Sequence, residues 1–101
     1  MDIVETDDAV IVRLEMAGVR GDDLRVNVDA DVLHIRGTRK TPDASGLRRP
    51  HQMEIAFGPF ETHVPLRLPF DRDGVSAHLE DGLLEVRLPK RQPVRVEVET
   101  E

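Results

Sequence analysis

Two short runs with apolar residues at every second position meet at Asp81-Gly82, and this junction constrains the fold more than any other feature of the chain. Val75, Ala77 and Leu79 alternate with polar neighbours before it, and Leu84, Val86 and Leu88 resume the alternation after it. A period of two belongs to a strand with one buried face. Glycine reaches positive φ without a Cβ clash and aspartate tolerates turn geometry, so the pair predicts a β-hairpin. Pro89 has no ladder donor and marks where pairing stops.

The rest of the chain follows the same pattern. Ile3-Val4-Glu5-Thr6 reads as an opening strand. In the next piece Val10, Val12, Leu14 and Met16 share one face, while Ala9, Ile11, Arg13 and Glu15 share the other. Ala17 to Asp23 breaks the pattern with two glycines and two acids. Leu24, Val26 and Val28 begin another strand, Asp29-Ala30-Asp31 is a turn, and Val32 to Gly37 is the strand after it. Thr62 to Leu68 is predicted as a strand with Val64, Leu66 and Leu68 on its buried face. Pro65 places that strand at a sheet edge, because proline within a ladder is tolerated only there or at a bulge. Short strands at this spacing, with no capped helical window, indicate an antiparallel sandwich or barrel.

Composition narrows the function. A chain of 101 residues, 39% hydrophobic and 34% charged, reads as one soluble globular domain with a core of its own. A net charge of -6 works against binding a phosphate backbone, so nucleic acid is not an expected partner. No apolar run is long enough to cross a bilayer, and Met1 to Glu5 lacks the pattern of a leader, so no membrane partner is expected and the cytoplasm is the default compartment. With no cysteine there is no disulfide, thiol nucleophile or thiolate metal site. His34, His51, His63 and His78 fall on different predicted strands and a loop, without an H-x-x-x-H spacing, and no metal or cofactor is expected. Ser45 and Ser76 lie outside any G-x-S-x-G pattern, and Gly18-Val19-Arg20-Gly21 is not a phosphate loop. Acidic pairs occupy turns. Phe57, Phe60 and Phe70 are too dispersed for a base-stacking platform and are expected to plug the ends of the core. No catalytic residue emerges, and the chain does not read as an enzyme.

The segment Ala77 to Lys90 has the form A-x-x-x-x-G-x-L, then a short strand and L-P-K, with Ala77, Gly82, Leu83 and Leu84 at the signature positions. It resembles the signature of the α-crystallin domain of small heat-shock proteins, of the bacterial and plant type. Asp2 to Thr6 looks like that family's opening strand. Leu14 to Val19 resembles its L-x-x-P-G-V segment with Ala17 in the proline position, and Val32 to Gly37 is similar to its L-x-I-x-G. Glu54 to Phe60 resembles its E-R-x-Y-G-x-F element, with Ile55 for arginine and Phe57 for tyrosine. Thr62 and His63 stand where the family usually has an arginine. These pieces occur in order over nearly the whole chain. The resemblance implies an immunoglobulin-like antiparallel β-sandwich over residues 1–90, with 91–101 as a C-terminal extension. It also implies an ATP-independent holdase that binds unfolding client proteins in the stress response and suppresses their aggregation.

Residues 38–53 form the longest stretch without a strong pattern. From the residues alone this is a flexible connection with solvated basic groups. The family's bacterial and plant members carry here a short strand that crosses to a partner and completes its sheet, and Arg48, Arg49, His51, Gln52, Met53 and Glu54 would be that strand in a homodimer. Pro65 favours this loop exchange over the edge pairing of animal relatives. After Pro89, Val96-Glu97-Val98 resembles the family's I-x-I anchor, with Val94-Arg95-Val96 as a second register. The alternative is a last strand of the chain's own sheet, or a solvated tail. The family's receiving groove would be lined by Leu24, Val26, Val28, Val75, Ala77 and Leu79, which also read as core, and it could hold a tail or a client segment. Because the chain begins almost at its first strand, the resemblance implies a dimer or small oligomer with reduced holding capacity. A competing class is a CS-type co-chaperone adaptor that docks to one folded partner. The loop length and Ala77 to Leu84 argue against it.

Overall fold

The alternating segments become strands because each must bury one face against another element. The computed structural model describes residues 1–91 and 96–100. Its strands are β1 (Asp2–Glu5), β2 (Ala9–Glu15), β3 (Leu24–Asp29), β4 (Val32–Arg39), β5 (Gly58–Pro65), β6 (Ser76–Glu80) and β7 (Leu83–Pro89). They form two antiparallel sheets, in the orders β1-β2-β7-β6 and β3-β4-β5. Single 3-10 turns at Gly21–Asp23 and Arg72–Gly74 lead into β3 and β6. The expected antiparallel sandwich is the fold.

Register explains the core. Across β2 and β7, Val10 lies opposite Leu88, Val12 opposite Val86 and Leu14 opposite Leu84, so apolar side chains form rows on one face. That face meets Leu33, Ile35 and Val64 of the other sheet. Val12, Leu33, Ile35, Val64, Val86 and Leu88 are the largest fully buried side chains, each contributing about 1.5–3 kcal/mol by leaving water. Phe70 closes one end of the core and is buried, while Phe57 and Phe60 are half-buried.

Two glycines are required by geometry. Asp81 (φ 52°) and Gly82 (φ 76°) are the two loop residues between Glu80 and Leu83, both left-handed, as a type I′ hairpin turn demands. The Gly82 carbonyl accepts from the Met16 N–H at 2.6 Å, which ties the turn to the end of β2. Gly37 sits between Leu24 and Phe60 on neighbouring strands, and a Cβ there would lie 2.6 Å from Phe60 Cζ and 2.9 Å from the Asp23 carbonyl oxygen. The L-x-I-x-G pattern ends on glycine because an aromatic ring covers that position.

Three expectations are corrected. The strand expected over Thr62 to Leu68 is Gly58–Pro65, an edge strand that stops where proline can no longer donate. The Leu66 N–H turns to the Asp31 carbonyl at 2.7 Å, leaving Leu66 half-buried and Leu68 41% exposed instead of on a buried face. Ala77, expected to be core, is exposed because β6 pairs only with β7 and a methyl group is too short to reach the facing sheet. Ala9, placed on the outer face, is fully buried.

Candidate binding surfaces

β1 ends its sheet, pairs only with β2, and leaves its outer ladder open. All four of its residues are exposed, Ile3 by 52%. It is held by its ladder and by a clamp at its end. The Thr6 N–H donates to the Ala9 carbonyl at 2.8 Å, the Thr6 hydroxyl accepts from the Ala9 N–H at 3.0 Å, and Lys90 Nζ reaches Glu5 Oε2 at 2.6 Å. Beside it, Ile3, Val10, Leu66, Leu68, Phe70 and Leu88 line an apolar cavity of about 230 Å³.

Between β4 and β5, residues 40–57 contain no regular strand or helix. Arg39 fastens the base of this loop, its Nε donating to the Ala17 carbonyl at 2.8 Å and its Nη1 to the Ala56 carbonyl at 3.0 Å. Asp43 accepts from the Ser45 N–H at 2.9 Å and the Ser45 hydroxyl at 3.0 Å, and those bonds hold its carboxyl below the usual carboxylate range. Arg48, Arg49, His51, Gln52, Met53 and Glu54 are all exposed and form no strand within the single chain. Leu47 is exposed as well, with Met53 at 72% and Ile55 at 68%. Three large apolar side chains therefore stand in water within one loop.

The opposite side of the sandwich is bounded by β3 and β6, each the edge of its sheet. Leu24, Val26 and Val28 are half-buried, as are Leu79 and Val75, the latter capping the turn before β6. Ala77 stands exposed between them in sequence. Val96 and Val98, the anchor residues that the resemblance implies, are 79% and 88% exposed. Val94 and Arg95, the second register, lie outside the described residues. Of the signature residues, Leu84 is buried, Gly82 shapes the turn, and Ala77 and Leu83 are exposed.

The strand register also brings together side chains that the sequence scatters. His34 of β4 lies directly opposite His63 of β5, their rings edge to face with centroids 4.5 Å apart. Glu61, on the same outward face as His63, accepts from His63 Nε2 at 2.7 Å and from Arg36 Nε at 3.1 Å. The His63 hydrogen bond, with Arg36 assisting, holds the Glu61 carboxyl below the usual range. The Gly37-to-Phe60 register was the missing signal: counting back from it pairs the two histidines.

The profile of the Hsp20/alpha crystallin family matches residues 2–100. Small heat shock protein C2 of Rickettsia felis is 28% identical over 91 residues, which cover 90% of this chain and 59% of that protein. The chain thus spans less than two thirds of that curated relative's length. Among solved structures, heat shock protein 16.0 from Schizosaccharomyces pombe superposes with a TM-score of 0.81 at 27% identity, covering 99% of this chain and 94% of that one. A small heat-shock protein from Xylella fastidiosa, described as having a distinct high order structure, gives 0.80 at 29% identity over 98% and 94% of the two chains.

Proposed function

This chain belongs to the Hsp20/alpha crystallin family, and from that premise we propose that it is an ATP-independent holdase and not an enzyme. In this reading it acts in the cytoplasm as a homodimer, binding partly unfolded client proteins and suppressing their aggregation. Residues 1–90 are the α-crystallin domain and 91–101 its extension. No helix among the described residues is long and apolar enough to cross a membrane.

The observation that carries the reading is the β1 edge. An open ladder with exposed Ile3 and Val4 beside an apolar cavity is a template for uncontrolled pairing unless something covers it. Met53 and Ile55 alternate with Glu54 and Ala56, so the loop has the pattern of the covering strand, supplied by a second copy. The groove between β3 and β6 then receives Val96 and Val98, or an apolar client segment in their place. Burying two valines contributes about 3–5 kcal/mol before ordering costs. Single docking events are therefore weak and reversible, which suits a chaperone that releases clients without ATP.

The test is turbidity of an unrelated thermolabile protein, heated with the chain in molar excess, with and without ATP. The proposal predicts suppression that ATP does not alter. Unchanged aggregation from a chain that is monomeric in solution would instead favour an adaptor for one folded partner.

A further inference from the structure

We propose that the outer face of the β4–β5 ladder is a binding site for a divalent transition metal ion of the zinc class, with His34, Glu61 and His63 as ligands. One potential donor atom from each residue lies within 4.8 Å of the others. Zn–N bonds of about 2.0–2.1 Å set tetrahedral donors about 3.3 Å apart, so rotation of the exposed Glu61 and His63 side chains about the half-buried His34 closes the set without moving backbone. The backbone already fixes the two strands: His34 pairs with His63, and Glu61 is two residues before His63 on the same face. Two imidazoles and a carboxylate, in a chain without thiols, select borderline ions such as Zn²⁺ and Cu²⁺ over Mg²⁺ or Ca²⁺. Three ligands leave a fourth position for water.

The surroundings fit this assignment. Arg36 lies opposite Glu61 and competes for its carboxylate, while Asn27 completes the His34–His63 row on the other side. The molecule also carries its own control. His78 and Glu80 form the same two-residue pair, Nε2 to Oε2 at 3.0 Å, but the residue opposite His78 is Glu85, which Arg13 holds at 3.0 Å. That pair has no second imidazole. A bound ion at the first site bridges β4 to the edge strand β5 and stabilises the folded chain by mass action.

The experiment titrates Zn²⁺ into the full chain, free of any affinity tag, by calorimetry in a non-chelating buffer at neutral pH. Histidine ring resonances and the melting temperature are followed in parallel. One ion per chain is expected, with His34 and His63 resonances perturbed, His51 and His78 unmoved, and the melting temperature raised. Loss of an outer-shell partner alone weakens metal sites by about 10–100-fold, so His34→Ala and His63→Ala should each cost at least about tenfold. Glu61→Gln weakens binding less, His78→Ala leaves it unchanged, and Arg36→Gln tightens it. These side chains face outward, and unchanged metal-free melting confirms that each variant is folded. Zinc that leaves the His34 and His63 resonances in place, or one-to-one binding that survives the His34→Ala/His63→Ala double variant, overturns the proposal.

Discussion

The two long sides of this sandwich leave apolar surface open in different ways. On the β1 side every strand residue is exposed, and the strand is held by backbone pairing and the Thr6 and Lys90 clamp. On the β3–β6 side the alternating apolar residues are half-buried against the core, with only the small Ala77 fully presented. The first side offers main-chain donors and acceptors along a whole strand. The second also ends in edge strands, β3 and β6, and adds a seam of half-buried apolar side chains between them. A bare ladder is completed by another strand, whereas a half-filled seam accepts individual branched side chains. One sandwich thus leaves two kinds of surface open, and the proposed function assigns dimerisation to the first and tails or clients to the second.

The largest expected effect separates the sides most clearly. Replacing Ile3 and Val4 together by lysine removes apolar side chains worth about 1.5–3 kcal/mol each when covered, so the dimer dissociation constant should rise by about 100-fold or more. Because both residues are exposed in the single chain, its melting as a monomer should barely move. Sedimentation across a concentration series reads the first effect and calorimetry the second.

Gly37→Ala should damage both sides at once, because Gly37 lies between Leu24 on β3 and Phe60 on β5. Its Cβ must displace both the Phe60 ring and the Asp23 carbonyl, at a cost of about 1–3 kcal/mol in urea unfolding. Unchanged stability would show that Phe60 does not need the space.

Ala77→Asp sharpens the comparison from the other side. The position is exposed, so the variant stays folded and dimeric, while a peptide copy of residues 91–101 binds about tenfold more weakly, or about 1.4 kcal/mol. Equal binding would move the tail site away from β6. Gly82→Ala is expected to have the smallest effect, about 1 kcal/mol of stability lost to the left-handed backbone with both sides otherwise intact.

The sequence made the sandwich legible where period two coincided with a real ladder. Val10 to Met16 and Leu84 to Leu88 lie on the buried faces their spacing predicts. It misled where alternation outlived pairing: Val64, Leu66 and Leu68 keep the period, but Pro65 ends the ladder and the last leucine turns to solvent. Alternation also assigns a face without a depth, so it points to core at Ala77, which is exposed. The His34–Glu61–His63 cluster was invisible because it depends on register across a long loop, and register is set by Gly37 meeting Phe60. Length marked residues 38–53 as unusual. What they contact cannot be deduced from one chain's periodicity, since the proposed partner ladder belongs to a second copy.

The measurement that tests the central claim most directly is the solution mass of this chain by light scattering, beside a version with residues 48–56 replaced by a glycine-serine linker. The account predicts a dimer for the chain and a folded monomer for the replacement, because the linker cannot complete the β1 edge. A dimer that survives the replacement, or a chain that is monomeric from the start, would contradict it.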